Sequence, residues 1–372
     1  MGRPSDIIVV GAGVVGCSVA YELARRGASV EIVDERPVGM GATQASAGVL
    51  APYLEAREDS PLLDLTVRSL SMYDAFVGRV AQDGGIAVPY RRTGTLDVAA
   101  NDREMQRLHG IADVLARRGV PALILDAAAT RAEEPLVAED IAGGLLIEEH
   151  GYVSASELTR ALVAAARAHG AQLVEQSRVR RIRARDGDTV VETDRGTLAS
   201  NAVVLAAGSW SGTIVVDGVE TRVPVKPIRG QLLYLGWHGT SLRRVMWSRG
   251  CYMVPWDDGT VLVGATSEDA GFDERLTVSG VHDLLQAAAD VAPHAWTATF
   301  RGARVGLRPA TADHLPVIGT SMRIPNLMYA TGHYRNGILL APLTAQLVAD
   351  ALLDGRVDPM LTALSPSRFG TL

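Results

Sequence analysis

The chain carries only two cysteines in 372 residues, four phenylalanines, and a single lysine, Lys226, among its 36 basic residues. Cys17 and Cys251 cannot build a disulfide framework, and neither has a metal ligand at the usual short spacings, so a reduced, metal-free, cytoplasmic protein is expected. A net charge of −6 with no block of five or six basic residues lacks the footprint of a nucleic-acid binder and favours a small-molecule partner. Because arginine is almost the only cation, an arginine marks a site only where its surroundings do. Met1 to Ser5 alone precede the first apolar run, which leaves no room for a signal peptide, and Asp6 spoils a myristoylation pattern. Charge or proline breaks the apolar stretches before about 18 residues, so no membrane span is expected.

With 47% hydrophobic and 21% charged residues, the chain has the balance of a globular protein, and its length suits two or three domains. From Asp6 it reads Ile7-Ile8-Val9-Val10, then Gly11-Ala12-Gly13-Val14-Val15-Gly16, a helical stretch to Arg26, and a β-rich run from Ser29 to Val33 ending in Asp34 and Glu35. Strand, glycine turn, helix, strand and terminal acid follow the order of a dinucleotide-binding βαβ unit. Gly11 permits the tight turn, Gly13 lets backbone approach a pyrophosphate, Gly16 lets the helix pack on the strand, and the helix N-terminus receives phosphate charge. Asp34 is placed to accept hydrogen bonds from a ribose diol and would repel a 2′-phosphate.

Further on, the patterns predict a strand at 92–98, a helix at 101–119, a strand over 145–153 and a helix at 155–169. Short β runs fill 172–207, split by Asp186-Gly187-Asp188 and Arg195-Gly196, and end in the non-alternating run Ala202 to Ala207 of a strand buried on both faces. Longer antiparallel strands are expected at 222–235, 244–254 and 260–265, then a helix near 277–291, a strand at 327–331 and a helix from about 337 to 353. No linker separates the units. The expected fold is α/β: a Rossmann-like dinucleotide domain formed by 1–85, 145–220 and 300–372, interleaved with an α+β substrate domain on an antiparallel sheet formed by 86–144 and 221–299.

NAD and FAD share the first glycine loop, so the choice rests elsewhere. The segment Gly39 to Pro52 is rich in small residues, offers the Thr43 and Ser46 hydroxyls to phosphate, and lets backbone run close to a long ligand at Ala47 and Gly48. Six strings occur in order: Ala45-Ser46-Ala47-Gly48-Val49-Leu50-Ala51-Pro52, Leu205-Ala206-Ala207-Gly208-Ser209-Trp210-Ser211, Tyr252-Met253-Val254-Pro255, Gly264-Ala265-Thr266, Gly306-Leu307-Arg308-Pro309 and Gly332-His333-Tyr334-Arg335-Asn336-Gly337-Ile338. Together they resemble the amine-oxidising flavoproteins of the D-amino-acid oxidase superfamily, and within it the glycine oxidases of thiamine biosynthesis.

The resemblance implies non-covalent FAD, since the cysteine used for covalent attachment in monomeric sarcosine oxidases would follow Cys251 and none does. It implies cofactor contacts at Gly11, Gly13, Val14, Val15, Gly16, Asp34, Glu35, Thr43, Ser46, Ala47, Gly48, Val179, Ala207, Gly208, Trp210, Tyr334, Arg335, Asn336, Gly337 and Ile338. Substrate contacts are implied at Tyr252, Arg308 and Arg335. A fixed guanidinium at 308 suits a carboxylate through two parallel hydrogen bonds. Tyr252 and Val254 should share one strand face while Cys251 and Met253 take the other. His333 reads as structural. Val49 and Trp256 depart from the commoner glycine-oxidase pattern.

The implied reaction is oxidation of glycine, sarcosine or D-alanine by hydride transfer to FAD N5, with hydrolysis to a 2-oxo acid such as glyoxylate and an amine or ammonia. Oxygen would be reduced to hydrogen peroxide, and no side chain would act as acid or base. A homo-oligomer, dimer or tetramer, is also implied. A broad D-amino-acid oxidase or quinone-linked D-amino-acid dehydrogenase is the alternative enzyme, and a flavin-binding subunit without turnover is the alternative from another class.

Overall fold

The structure is a computed structural model that describes residues 5–55, 60–185, 187–220 and 222–372. Met1–Pro4, and Asp186 of the turn expected at 186–188, lie outside the described residues.

The opening run Ile7–Val10 is a strand whose four residues are all buried. It is central in a six-stranded sheet whose order by residue range is 317–320, 327–331, 202–205, 7–10, 30–33 and 172–174. All pairings are parallel except that of 317–320 with 327–331. Period-two alternation sends Ile7 and Val9 into a core shared with the helices Val14–Arg25, Ala155–Ala168 and Gly337–Asp354. Ile8 and Val10 enter a second core beneath the small sheet of Val179–Arg185, Asp188–Thr193, Gly196–Ser200 and Val215–Val216. Apolar side chains are therefore needed on both strand faces, which explains the unbroken Ile/Val runs. Helix Ala155–Ala168 begins where the Ser154 hydroxyl accepts the Glu157 amide, a standard N-cap.

Helix Gly337–Asp354 forms where a helix is expected from about 337 to 353. Despite Pro342 and Asp350 it is long and apolar enough by composition to cross a membrane, yet eleven of its residues are buried in the protein core.

The second unit is built on an eight-stranded sheet, ordered 299–310, 226–236, 260–264, 252–255, 245–247, 95–99, 143–147 and 123–126. It is antiparallel, as expected, except where Val245–Trp247 runs parallel to Thr95–Ala99. The run expected as one strand over 244–254 is a hairpin, Val245–Trp247 and Tyr252–Pro255, because Ser248 to Cys251 close a turn in which the Ser248 hydroxyl accepts the amides of Gly250 and Cys251. The run over 145–153 is likewise two strands, Gly143–Ile147 and Gly151–Val153. Thr299–Ala310 pairs along its length with Lys226–Gly236, so the chain of this sheet extends past the boundary expected at 299. Both units contribute to one cleft at the carboxyl ends of the parallel strands.

Candidate active site

Gly11, Asp34, Ala206 and Gly332 follow directly on the carboxyl ends of four parallel strands. Strand Ile7–Val10 has Val30–Val33 on one side and Ala202–Leu205 on the other, so the chain order reverses there, where open α/β sheets bind ligands. A cavity of about 930 Å³ opens at this point and runs between the two sheets. Of the residues expected to touch cofactor or substrate, all except Gly16 line its wall. Gly16 lies behind the wall, where an added Cβ would sit 1.9 Å from the Gly11 carbonyl oxygen; its place is the contact of helix against turn. Gly11 takes a φ of +112° with the Ala206 carbonyl 2.4 Å from an imagined Cβ, so only glycine fits.

Asp34 is engaged by the protein itself. One carboxylate oxygen accepts the Ala12 amide at 2.6 Å and the other the Arg36 amide at 2.7 Å, which lock strand end and glycine turn together. Burial pushes its carboxyl above the ordinary range against the pull of these two amides. Glu35 is exposed and faces Arg178 at 3.6 Å, beside Val179. The Thr43 hydroxyl accepts the Val14 amide at 3.1 Å at the head of helix Val14–Arg25, which leaves its own O–H to donate to an anion there. Ser46 accepts the Gly48 amide at 3.2 Å. Gly48 has a φ of +71°, and the Val153 carbonyl stands 1.7 Å from where a Cβ would be.

At the far side, the amides of Gly337, Ile338 and Leu339 form the first turn of helix Gly337–Asp354, and all three residues line the cavity. Its N-cap, Asn336, supplies no side-chain acceptor, so this helix presents N–H groups and a positive dipole end to the cavity. Ala207 and Gly208 also line the cavity, and the Gly208 carbonyl accepts the Thr331 hydroxyl at 3.2 Å. Tyr334 takes a φ of +49°, stacks on His314 at 4.9 Å between ring centres, and has the exposed Arg335 guanidinium 5.2 Å above it. Burial acts to raise the Tyr334 phenol, but Ser267, Arg335 and Arg308 together hold it below its ordinary range.

Arg308 projects from Thr299–Ala310 across Gly230, where a Cβ would come within 2.4 Å of Nη1. Nη1 donates to the Thr266 carbonyl at 2.8 Å. Tyr252 is the cross-strand partner of Gly264, and its hydroxyl would lie 2.5 Å from a Cβ there. Two glycines on neighbouring strands thus make room for the two groups expected to bind a carboxylate. Tyr252 and Val254 do share one face, packing around Ala47 and Tyr152, while Cys251 and Met253 enter the core on the other. Burial pushes the Cys251 thiol up to about 12. His333 is buried, its Nε2 lies 3.0 Å from the Thr344 hydroxyl, and desolvation lowers its pKa to about 3.

Sequence reasoning missed Gly230 and Gly264, although Gly264 lies in one of the diagnostic strings. It also missed Arg36, two residues past Asp34, which stacks on Trp210 at 4.3 Å and forms a two-pronged pair with Glu274 at 2.9 and 2.8 Å. Of the two departures, Val49 lines the cavity, whereas Trp256 stands outside it and meets the Tyr152 ring edge-on at 4.7 Å.

The residues fit FAD: a dinucleotide-sized cleft, a glycine turn at one helix N-terminus, and a second helix N-terminus whose amides point into the same space. Comparison with known proteins agrees. A family model described as FAD dependent oxidoreductase (DAO) matches residues 6–351. The chain is 36% identical to the bifunctional protein ThiO/ThiG of Nostoc sp. (strain PCC 7120) over 98% of its own length and 55% of the other, so it spans about half of that relative. It is 35% identical to the glycine oxidase of Geobacillus kaustophilus (strain HTA426), covering 93% of this chain and 92% of that one. The crystal structure of a glycine oxidase from Geobacillus kaustophilus superposes with a TM-score of 0.94 at 34% identity, covering 99% of each chain.

Proposed function

The chain belongs to the FAD-dependent oxidoreductase family that its residues 6–351 match, and from that premise we propose that it oxidises glycine or another small amino acid, sarcosine or D-alanine, with oxygen as acceptor. The observation that carries this reading is the convergence of Arg308 and Tyr252, each lying over a glycine, on the wall of the cleft that the Gly11–Gly13 turn opens. When bound, FAD supplies the two-electron acceptor for the α C–H bond and passes the electrons to oxygen, giving hydrogen peroxide.

Arg308 receives the substrate carboxylate. Its Nη1 is tied to Thr266, which fixes the plane of the guanidinium and leaves further N–H donors for the ligand. Tyr252 adds a hydroxyl from the adjoining strand. Charge-assisted bonds of this kind are worth about 1.5–3 kcal/mol each, enough to orient a substrate with little apolar surface. The first turn of helix Gly337–Asp354 favours negative charge beside it. Burial lowers the His333 pKa to about 3, so it would hold a proton too weakly to serve as base, and its ring is engaged by Thr344; the substrate amine binds unprotonated and no side chain moves its proton. The imino product hydrolyses to a 2-oxo acid, glyoxylate from glycine, and ammonia or an amine.

The same reading takes the enzyme to be a cytoplasmic homo-oligomer acting in thiamine biosynthesis, with its two units divided as the sequence suggests apart from the strands Gly143–Ile147 and Thr299–Ala310, which cross the boundaries expected at 145 and 299. Anaerobic addition of glycine to the yellow protein tests the activity: bleaching of the flavin, and peroxide once air is admitted, are expected. No bleaching with any amino acid would leave only a flavin-binding role.

A further inference from the structure

Behind Arg308, the Thr266 carbonyl is backed by a polar network whose other members the proposed reaction does not use. The Thr266 carbonyl accepts Arg308 Nη1 at 2.8 Å. The Thr266 hydroxyl accepts the Gln231 amide at 2.9 Å and donates to Glu268 Oε1 at 2.6 Å, so both of its hydrogen-bonding directions are used within the network. Gln231, wholly buried, donates from Nε2 to the same Glu268 oxygen at 2.8 Å and to the Thr277 hydroxyl at 2.8 Å. The second Glu268 oxygen accepts Arg229 Nη2 at 2.6 Å, and the Arg229 and Glu268 backbones exchange hydrogen bonds at 2.8 and 2.9 Å. Arg229, almost fully buried, also reaches Asp273 at 3.0 Å.

We propose that Glu268 is a positioning residue for substrate binding: through the hydroxyl of Thr266 it fixes the carbonyl that holds the Arg308 guanidinium in register with the substrate carboxylate. This rests on the assignment of Arg308 as the carboxylate anchor. The physical reason is one of degrees of freedom. Arginine has four rotatable side-chain bonds, and an anchor that must meet a very small ligand gains affinity only if its orientation is set beforehand. Glu268 is suited to this because it is ionised and immobile. Burial acts to raise its carboxyl, but Arg229, Thr266 and Gln231 outweigh that and hold it below the ordinary range. Its two oxygens divide the work, one toward Thr266 and Gln231, the other toward Arg229. Gly280 keeps the network closed, since a Cβ there would strike Gln231 Nε2 at 2.2 Å.

The test uses the FAD-loaded enzyme and glycolate, a carboxylate with no amine to oxidise, whose binding is read from the flavin absorbance. Glu268→Gln and Thr266→Val are each expected to raise the glycolate dissociation constant, and the glycine KM with it, by roughly three- to thirtyfold, while FAD affinity is unchanged. In an Arg308→Leu background the same substitutions should add nothing, because the group they position is gone. A purely structural role would lower Tm and leave glycolate binding alone, or would add its full effect in both backgrounds; either result overturns the proposal. Thr266→Val is nearly isosteric and carries the test by itself if Glu268→Gln does not fold. Should Arg308→Leu alone leave glycolate binding unchanged, the anchor assignment falls, and the proposal with it.

Discussion

The guanidinium of Arg308 lies so close above Gly230 that a methyl group at 230 would stand 2.4 Å from Nη1 and 2.5 Å from Cζ. The glycine and the arginine occupy paired strands, Lys226–Gly236 and Thr299–Ala310, whose register places Gly230 opposite Gly306, two residues before the arginine. Gly230→Ala should therefore displace the arginine head, at the end of a long side chain, more readily than the backbone. We expect the glycine KM to rise about tenfold or more, the loss of one charge-assisted bond, with FAD content and Tm little changed. Steady-state kinetics with a thermal melt checks this, and a large fall in Tm at constant KM would contradict it.

Asp34 ties the glycine turn to the strand end through the Ala12 and Arg36 amides. Asp34→Ala leaves both amides without their acceptor, at a cost of about 1–3 kcal/mol for each that stays buried. The expected outcome is weaker FAD binding, by tenfold or more by the same order-of-magnitude reasoning, seen in fluorescence titration of apoprotein. Substrate binding by enzyme saturated with FAD should be unaffected.

Two buried histidines set an acid limit on stability. His150 and His333 are both lowered by desolvation from 6.5 to about 3. Between those values the unfolded chain binds the extra protons and the folded chain does not, so stability is lost as pH falls from about 6.5 toward 3, by about 1.4 kcal/mol per pH unit for each histidine. Urea unfolding at saturating FAD should show His150→Gln losing less stability between neutral pH and pH about 5 than the parent, by roughly one proton's worth of slope. Parallel pH profiles would contradict the assignment for His150, which keeps one hydrogen-bond partner, the Thr95 hydroxyl at 2.7 Å.

The nucleotide half of the fold was legible because local pattern and tertiary role coincide there. Ile7–Val10 reads as a strand, Gly11 as a turn that needs a positive φ, and Val14–Arg25 as a helix, and each is so. The helix expected at 155–169 is also there, as Ala155–Ala168, and the structure shows Ser154 capping its start. What stayed hidden depends on residues distant in sequence. Nothing local tells Thr299–Ala310 that its partner is Lys226–Gly236, and nothing in Gly230 or Gly264 distinguishes a glycine that makes room for a side chain from one that merely bends a strand. Helix Gly337–Asp354 is expected from the pattern at 337–353, but its place among the core helices, which makes it apolar on nearly every side, is not written locally. The hairpin Val245–Trp247 and Tyr252–Pro255 reads in the sequence as one strand over 244–254 because its turn, held by the Ser248 hydroxyl, carries only the single glycine Gly250.

The account depends on Arg308 as the group that holds the substrate carboxylate, and the most direct test is the glycolate dissociation constant of Arg308→Leu against the parent, each loaded with FAD. We expect a rise of at least about tenfold, from the loss of charge-assisted bonds, with FAD affinity unaltered. Equal glycolate affinity in the two proteins would contradict the account.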